Sequence, residues 1–332
     1  MNMLSNIKKN LQQIFIAALF SLLAVFGRTA PDVILVLDVT GSTGALLPNW
    51  QAKIVTDFIM PFNLATSGTR FALVSHRDFP YSPYGGSSDY GYRVETPLDT
   101  DTTNLITALN ALSSSGGGDA PESQLEALRQ AISGSGLDLN GDGDYLDKGD
   151  IKPKLLGINP STPQVLIFHF TYPLSFHNYP AIEANYPFSG VVNHPADVNA
   201  VKSAIDAICP VTTVDVYDAG GFKRVQAGCM LYTLIPTALK MLNSDGTLYK
   251  SESLIDQQTG KLLNLKPYAL ATNPAEELAE YTGGAVLSVG SSLEGLAEVV
   301  EAVVEDTRIC SEGRVPVELP TGIYCIEAFS SK

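Results

Sequence analysis

Val33-Ile-Leu-Val-Leu-Asp-Val-Thr-Gly-Ser42 is the stretch that decides the fold. The apolar run from Val33 to Leu37 has no polar break, and Asp38 follows at once. A strand covered on one face alternates apolar with polar residues. An unbroken short run marks a strand covered on both faces, as in parallel sheets. The turn-rich Thr40 to Thr43 comes next. Asn49 to Asn63 then reads as a helix, with Trp50, Ile54, Phe58 and Ile59 near helical spacing, and Pro61 should end or kink it.

The same alternation continues along the chain. Phe71 to Ser75 and Val165 to Phe170 repeat the apolar run, and Arg93 to Pro97 reads as an edge strand. Helices are expected around Leu105, Leu109 and Leu112, over Glu122 to Ile132 and over Asp197 to Ile208. Thr212 to Val216 reads as a strand, Ala275 to Tyr281 as a helix stopped by Gly283 and Gly284. Ala285 to Val289 and Leu293 to Val304 complete the core as strand and helix. Strands alternating with helices imply an α/β fold: a Rossmann-like, doubly wound, mainly parallel sheet with helices on both faces. Ligands of such sheets sit beyond the carboxyl ends of the strands, where Asp38, Asp78 and Thr171 all fall.

The flanking segments read differently. Lys8 and Lys9 precede an uncharged, largely apolar run from Ile14 to Phe26, shorter than the ~20 residues that span a bilayer. Residues 1–27 are therefore expected to be a signal peptide, or else an uncleaved membrane anchor. The core is expected over 28–308, with insertions at 138–150 and 243–266; in the latter, Asn243-Ser-Asp-Gly246 and Thr259-Gly260 look like turns. Residues 309–332 read as a C-terminal hairpin turning at Pro320-Thr-Gly322. Export agrees with the even count of four cysteines, and sequence proximity favours Cys209 with Cys229 and Cys310 with Cys325. The chain is expected to be secreted or held at the cell envelope.

Charge narrows the partners. With 21 basic and 35 acidic residues among 332, the net charge is −14. Such a chain repels nucleic acid phosphates and anionic lipid and suits divalent cations. No Gly-x-Ser-x-Gly elbow, Walker loop or His-Glu-x-x-His occurs, and His76, His169, His177 and His194 are scattered. His169, within an apolar strand, reads as a core residue. Neither an enzyme nor a small-molecule substrate is expected. The tyrosine-rich tract 81–92 is either a recognition surface or an ordinary surface loop.

Asp38, Thr40 and Ser42 place a carboxylate and two hydroxyls at alternate positions after a strand, which alone reads either as a capped helix entry or as a hard oxygen set suited to Mg²⁺ or Mn²⁺. With its context, this stretch resembles the opening strand and metal loop of von Willebrand factor A domains. Arg70-Phe-Ala-Leu-Val-Ser-His-Arg-Asp-Phe-Pro80 resembles their second strand. Gly116-Gly-Gly-Asp-Ala-Pro-Glu122 resembles the third motif of the branch that includes hemicentins and integrin β subunits. Thr282-Gly-Gly284 resembles the domain's end, so the likeness spans roughly 32–308. The resemblance implies a metal-ion-dependent adhesion site of Asp38, Thr40, Ser42 and Glu122, and an adjacent Ca²⁺ site of Asp78, Asp119 and Glu122. It implies a protein ligand that completes the metal's coordination with an acidic group. Two departures stand out. The Asp pair that follows the loop in integrin β subunits is absent, and Thr171 stands where the family usually has an Asp ligand. The alternative is therefore a structural or assembly module with a degenerate metal site.

Asp138-Leu-Asn-Gly-Asp-Gly-Asp144 sets oxygen side chains at positions 1, 3, 5 and 7 with Gly at 6, the pattern of a calcium loop. Asp138, Asn140, Asp142 and Asp144 are the expected Ca²⁺ ligands. Gly149 occupies the place of the usual bidentate Glu, leaving Asp147 or Asp150 to substitute. A solvated acidic loop is the other reading.

Overall fold

The structure is a computed structural model that describes residues 30–118, 121–159, 164–172, 176, 191–209, 213–218, 221–226, 228–235, 240–242, 248–250, 274–290, 293, 295–310, 314–319 and 322–327. The 1–27 segment, Asp119, His177 and 251–273 lie outside the described residues. No helix among the described residues is long and apolar enough to cross a membrane.

Strand β1 (Asp32–Asp38) forms where the sequence runs apolar, and all seven of its residues are buried. Its neighbours are β2 (Arg70–His76), β3 (Arg93–Asp99) and β4 (Val165–Phe170). Further on come the hairpin β5 (Thr213–Asp218) and β6 (Gly221–Gln226), then β7 (Cys229–Ile235), β8 (Lys240–Leu242), β9 (Leu248–Lys250) and β10 (Ala285–Ser288). The chain closes with β11 (Arg314–Leu319) and β12 (Gly322–Glu327). The main sheet has six strands in the order β10-β7-β4-β1-β2-β3. All its pairings are parallel except that of β2 with the edge strand β3.

The helices are α1 (Leu47–Lys53), α2 (Met60–Ala65), α3 (Thr103–Ala111), α4 (Gln124–Ser133), α5 (Val198–Ile208), α6 (Pro274–Thr282) and α7 (Leu296–Cys310). Alternate residues of β1 serve two separate cores. Val33, Leu35 and Leu37 meet Trp50, Phe58, Phe62, Leu109 and Val303 on one face. Ile34 and Val36 meet Leu125, Leu128, Val201, Ile205 and Leu278 on the other. Each such side chain contributes about 1.5–3 kcal/mol when taken fully from water. The expected doubly wound α/β class is thus the one observed.

Three details depart from the sequence reading. Pro61 does not end the first long helix. A π-helical turn, Ile54–Ile59, joins α1 to α2, and Met60 N donates to Val55 O in the wider register that seats a residue lacking an N–H. The strand expected at Thr212 to Val216 forms as β5, but it pairs antiparallel with β6 outside the main sheet. The place beside β4 belongs instead to β7, whose apolar Leu231, Leu234 and Ile235 are buried and which the sequence reading had not singled out.

The expected C-terminal hairpin is present, and the expected turn at 243–246 falls between two paired strands. β8 and β9 flank 243–247, and β11 pairs antiparallel with β12. Cys209, just after α5, is bonded to Cys229 at the start of β7, as proximity suggested. For Cys310 and Cys325 only the backbone is described. The Cys209–Cys229 bridge closes a loop of 20 residues in sequence. A loop of that length stabilises the folded chain by about 3 kcal/mol through the unfolded state. Replacing both cysteines with serine should lower stability by about that amount in denaturant unfolding at unchanged sheet content. An unchanged midpoint in the double variant would show that the bridge adds nothing.

Candidate metal centre

Asp38 ends β1, and Thr171 follows β4 at the same edge of the sheet. Both are fully buried. A buried carboxylate is costly unless donors surround it. Asp38 Oδ1 accepts from Thr40 N at 2.9 Å and Thr40 Oγ1 at 2.7 Å. Asp38 Oδ2 accepts from Thr171 Oγ1 at 2.9 Å and Tyr172 N at 3.3 Å.

The two hydroxyls of the first loop are 2.9 Å apart, Thr40 Oγ1 to Ser42 Oγ. Each carries one proton. Thr40 Oγ1 also bonds Asp38 Oδ1, and Ser42 Oγ lies 2.8 Å from Tyr172 O, so two protons serve three contacts and either hydroxyl can be the donor across the 2.9 Å gap. In an octahedral Mg²⁺ site with ligands at about 2.1 Å, adjacent oxygens stand about 3.0 Å apart. The donor set and its spacing therefore fit a hard divalent cation. Ser42 is exposed, so the loop opens to solvent.

Glu122 reaches this edge from another loop and is buried. Its carboxylate rests against Gly117, where a Cβ would lie 2.7 Å from Oε1. The preceding residue, Gly116, accepts at its carbonyl from Gly41 N at 2.9 Å. The glycines at 116 and 117 have φ of +78° and +72°, backbone that L side chains rarely adopt. Gln124, fully buried, links the parts. Its Oε1 accepts from Glu122 N at 3.1 Å and its Nε2 donates to Thr171 Oγ1 at 3.4 Å. Sequence reasoning missed Gln124, because a glutamine opening a helix carries no signal of its own.

Asp78 lies two residues beyond β2, is buried, and accepts from Phe79 N at 2.6 Å. The adjoining Arg77 carbonyl accepts from Ser123 Oγ at 2.8 Å, which brings the Asp78 segment beside that of Glu122. Asp38, Asp78 and Glu122 do not close to the spacing of a compact three-carboxylate cluster. Among the described residues, the acidic side chains gathered within 4.8 Å of one another are Asp142, Asp144 and Asp147.

That trio belongs to the 138–150 insertion. Asp138 turns inward to cap the loop, accepting from Gly141 N at 2.7 Å and Gly143 N at 2.8 Å. Asn140 Nδ2 donates to Asp142 Oδ2 at 3.1 Å and also to Asp147 Oδ2. Of the two candidates for the missing position, Asp147 joins the cluster. Asp150 accepts from Leu139 N at 2.9 Å and Asp147 N at 3.1 Å. Lost hydration first, and then the Asp142 charge, push the Asp147 carboxyl up. Gathered carboxylates of this kind suit a divalent cation.

Beneath Asp38, two histidines face each other. His76 Nε2 and His169 Nε2 are 3.2 Å apart, and both rings are fully buried. His76 Nδ1 lies 3.3 Å from Arg77 O, so one tautomer serves both contacts: His76 donates from Nδ1, and His169 donates its Nε2 proton to His76. His169 is the core residue expected from sequence, but only its Nε2 is hydrogen-bonded. Burial first, and then His76, hold His169 well below the ordinary 6.5. Burial likewise lowers His76, against the pull of Asp38, its Arg77 contact and Asp78.

Depressed folded-state values mean that below about pH 6.5 the unfolded chain takes up protons that the folded chain refuses. The neutral pair's full contribution is therefore present above 6.5 and is lost as pH falls below it. Melting temperature measured in chelator should drop as pH falls from 7.5 to 5, and His169→Gln should reduce that drop. Equal pH slopes for the two proteins would refute this role.

No family model matches the chain, and no curated protein matches it. Among solved structures, the chain is similar to the SpRpn10 VWA domain at 11% identity and a TM-score of 0.37, over 82% of this chain and 94% of that one. It is also similar to the pilus adhesin SpaC from Lactobacillus rhamnosus GG, in its open conformation, at 15% identity and a TM-score of 0.36. That match covers 84% of this chain and 30% of the adhesin, so the chain spans about a third of the adhesin's length.

Proposed function

We propose that this chain is an exported binding module of the von Willebrand factor A type. In this reading Asp38, Thr40, Ser42 and Glu122 hold Mg²⁺ or Mn²⁺ at the carboxyl edge of the sheet, and the ion captures an acidic group of a protein ligand. The observation that carries the reading is the buried Asp38 carboxylate beside the Thr40 and Ser42 hydroxyl oxygens, which stand 2.9 Å apart, close to the spacing of adjacent oxygens in an octahedral Mg²⁺ site. When bound, the ion supplies an electrophile for a carboxylate. The chain's own residues orient the donors and keep the floor of the site dry, since Asp38, Thr40, Thr171 and Glu122 are all buried.

Thr171 tunes the site. A hydroxyl donating to Asp38 Oδ2 takes the place of a third carboxylate. Two carboxylates leave more positive charge on the ion, which favours capture of an acidic ligand and weakens intrinsic metal affinity. Metal and ligand then strengthen each other by the same factor. A second reading rests on Asp38 itself, which accepts four hydrogen bonds from the chain with no ion required. In that reading the loop is a structural remnant within an envelope or matrix module.

Titration with Mn²⁺ or Mg²⁺ separates the two. We expect weak binding, lost in Asp38→Ala while the sheet's circular dichroism is retained. Thr171→Asp should tighten metal by about tenfold or more, because a ligand is worth at least as much as the outer-shell contacts that cost that much. It should also lower the melting temperature in chelator, since two carboxylates then face each other in a dry site. A wild-type chain that takes up neither ion, with Thr171→Asp no better, leaves the structural-module reading in its place.

For the insertion, we propose Ca²⁺ held by Asp142, Asp144 and Asp147 with the Asp138 and Asn140 loop, as a staple between α4 and β4. The Asp78 and Glu122 segments offer a further Ca²⁺ position, for which the third expected ligand, Asp119, lies outside the described residues. Asp138→Ala combined with Asp142→Ala should lower the melting temperature more in calcium than in chelator, where only the capping bonds of Asp138 are lost, because an ion stabilises only the state it binds. An identical calcium response in the double variant would reject the staple.

A further inference from the structure

We propose that Asp89 is a positioning residue for the Asp38–Glu122 centre, pegging from behind the Gly116-Gly117 wall on which that centre leans. The inference rests on the metal-centre reading above. Asp89 lies in the tyrosine-rich tract, and its side chain is wholly buried. Its Oδ2 accepts from Gly86 N at 2.6 Å and Gly117 N at 3.1 Å. Its Oδ1 lies 3.8 Å from Arg77 Nη1. Gly116 is pressed so close that a Cβ there would fall 1.7 Å from Asp89 Oδ1.

The opposite side of the same two residues is the site. Gly116 O receives Gly41 N from the metal loop at 2.9 Å, and Gly117 abuts the Glu122 carboxylate. One thickness of backbone therefore separates Asp89 from both halves of the centre. Three consecutive glycines have too much conformational freedom to hold a wall by themselves. The constraint comes from outside. Arg77 Nη2 donates to Ser113 O at 3.2 Å, Ser115 N donates to Val39 O at 3.0 Å, and Asp89 secures the glycines themselves. Because Asp89 sits one residue before Tyr90, the tyrosine-rich tract is mechanically tied to the metal ligands.

The test uses the full chain and three variants. Asp89→Ala removes the peg, and Asp89→Asn keeps an acceptor for Gly117 N while removing the charge. Asp32→Asn is the control, a buried carboxylate paired with Arg70 at 2.6 Å at the far end of β1. Amide hydrogen exchange at Gly41 and Gly117, Mn²⁺ titration and melting in chelator are read for each. Asp89→Ala should speed exchange at both glycines and cost about tenfold or more in Mn²⁺ affinity, the usual loss for an outer-shell contact. Asp89→Asn should fall between it and wild type. Asp32→Asn should lower the melting temperature and leave both exchange and Mn²⁺ affinity as they were. If Asp89→Ala does not fold, Asp89→Asn carries the comparison. Unchanged exchange at Gly41 and Gly117 overturns the peg, and so does an equal Mn²⁺ loss in Asp32→Asn, since instability alone would then account for it. A wild-type chain that binds no Mn²⁺ overturns the metal reading instead, and the exchange data still decide the peg.

Discussion

The carboxylate of Asp38 sits at the end of a strand with no solvent on either side, and the upper edge of the sheet is arranged around that constraint. Leaving the group bare in a dry site would cost several kcal/mol, whereas hydrogen bonds to a charged acceptor recover about 1.5–3 kcal/mol each. The donors come from two places in the chain, residue 40 next to the strand and residues 171 and 172 beyond β4. Satisfying one buried acid thus brings the ends of β1 and β4 into a single patch. Parallel pairing does the rest, because it puts the exits of β1, β2 and β4 on one side.

The glycine wall answers a different problem. A loop that must lie flat against a carboxylate on one side and accept a second loop's N–H on the other has no room for side chains, and backbone at positive φ is then affordable only to glycine. The freedom that lets glycine fit also leaves it loose. Its neighbours Arg77 and Asp89 are accordingly charged and buried, a costly combination that makes sense as a means of fixing backbone.

Much of this architecture could be read from residues alone. Val33 to Leu37 is an unbroken apolar run, Phe71 to Ser75 and Val165 to Phe170 are apolar but for Ser75 and His169, and each became a strand buried on both faces. Asp38, Thr40 and Ser42 were identifiable because alternation after a strand is a local pattern. What stayed hidden was non-local. β7 carries Tyr232 and Thr233 inside its apolar run and opens with a cysteine, so its burial shows only once α6 and β10 pack around it. The His76–His169 contact joins residues 93 positions apart through sheet register, which no spacing rule reports. Pro61 signals an irregularity in the helix, but that a wider turn carries the helix past it does not follow from the residue alone. In the acidic insertion the pattern named the loop but not its arrangement, since whether Asp138 faces an ion or its own backbone depends on the turn it closes.

The Cys209–Cys229 bridge has a consequence for how β7 is held. It joins the first residue after α5 to the first residue of β7, and everything between them, including the β5–β6 hairpin, is an excursion whose two ends are clipped together. The bridge holds the end of α5 at the point where β7 enters the sheet. The hairpin packs against β11 and α6 and not into the main sheet, so the covalent ring ties β7 to the end of α5 by a route that does not pass through the hairpin's own pairing.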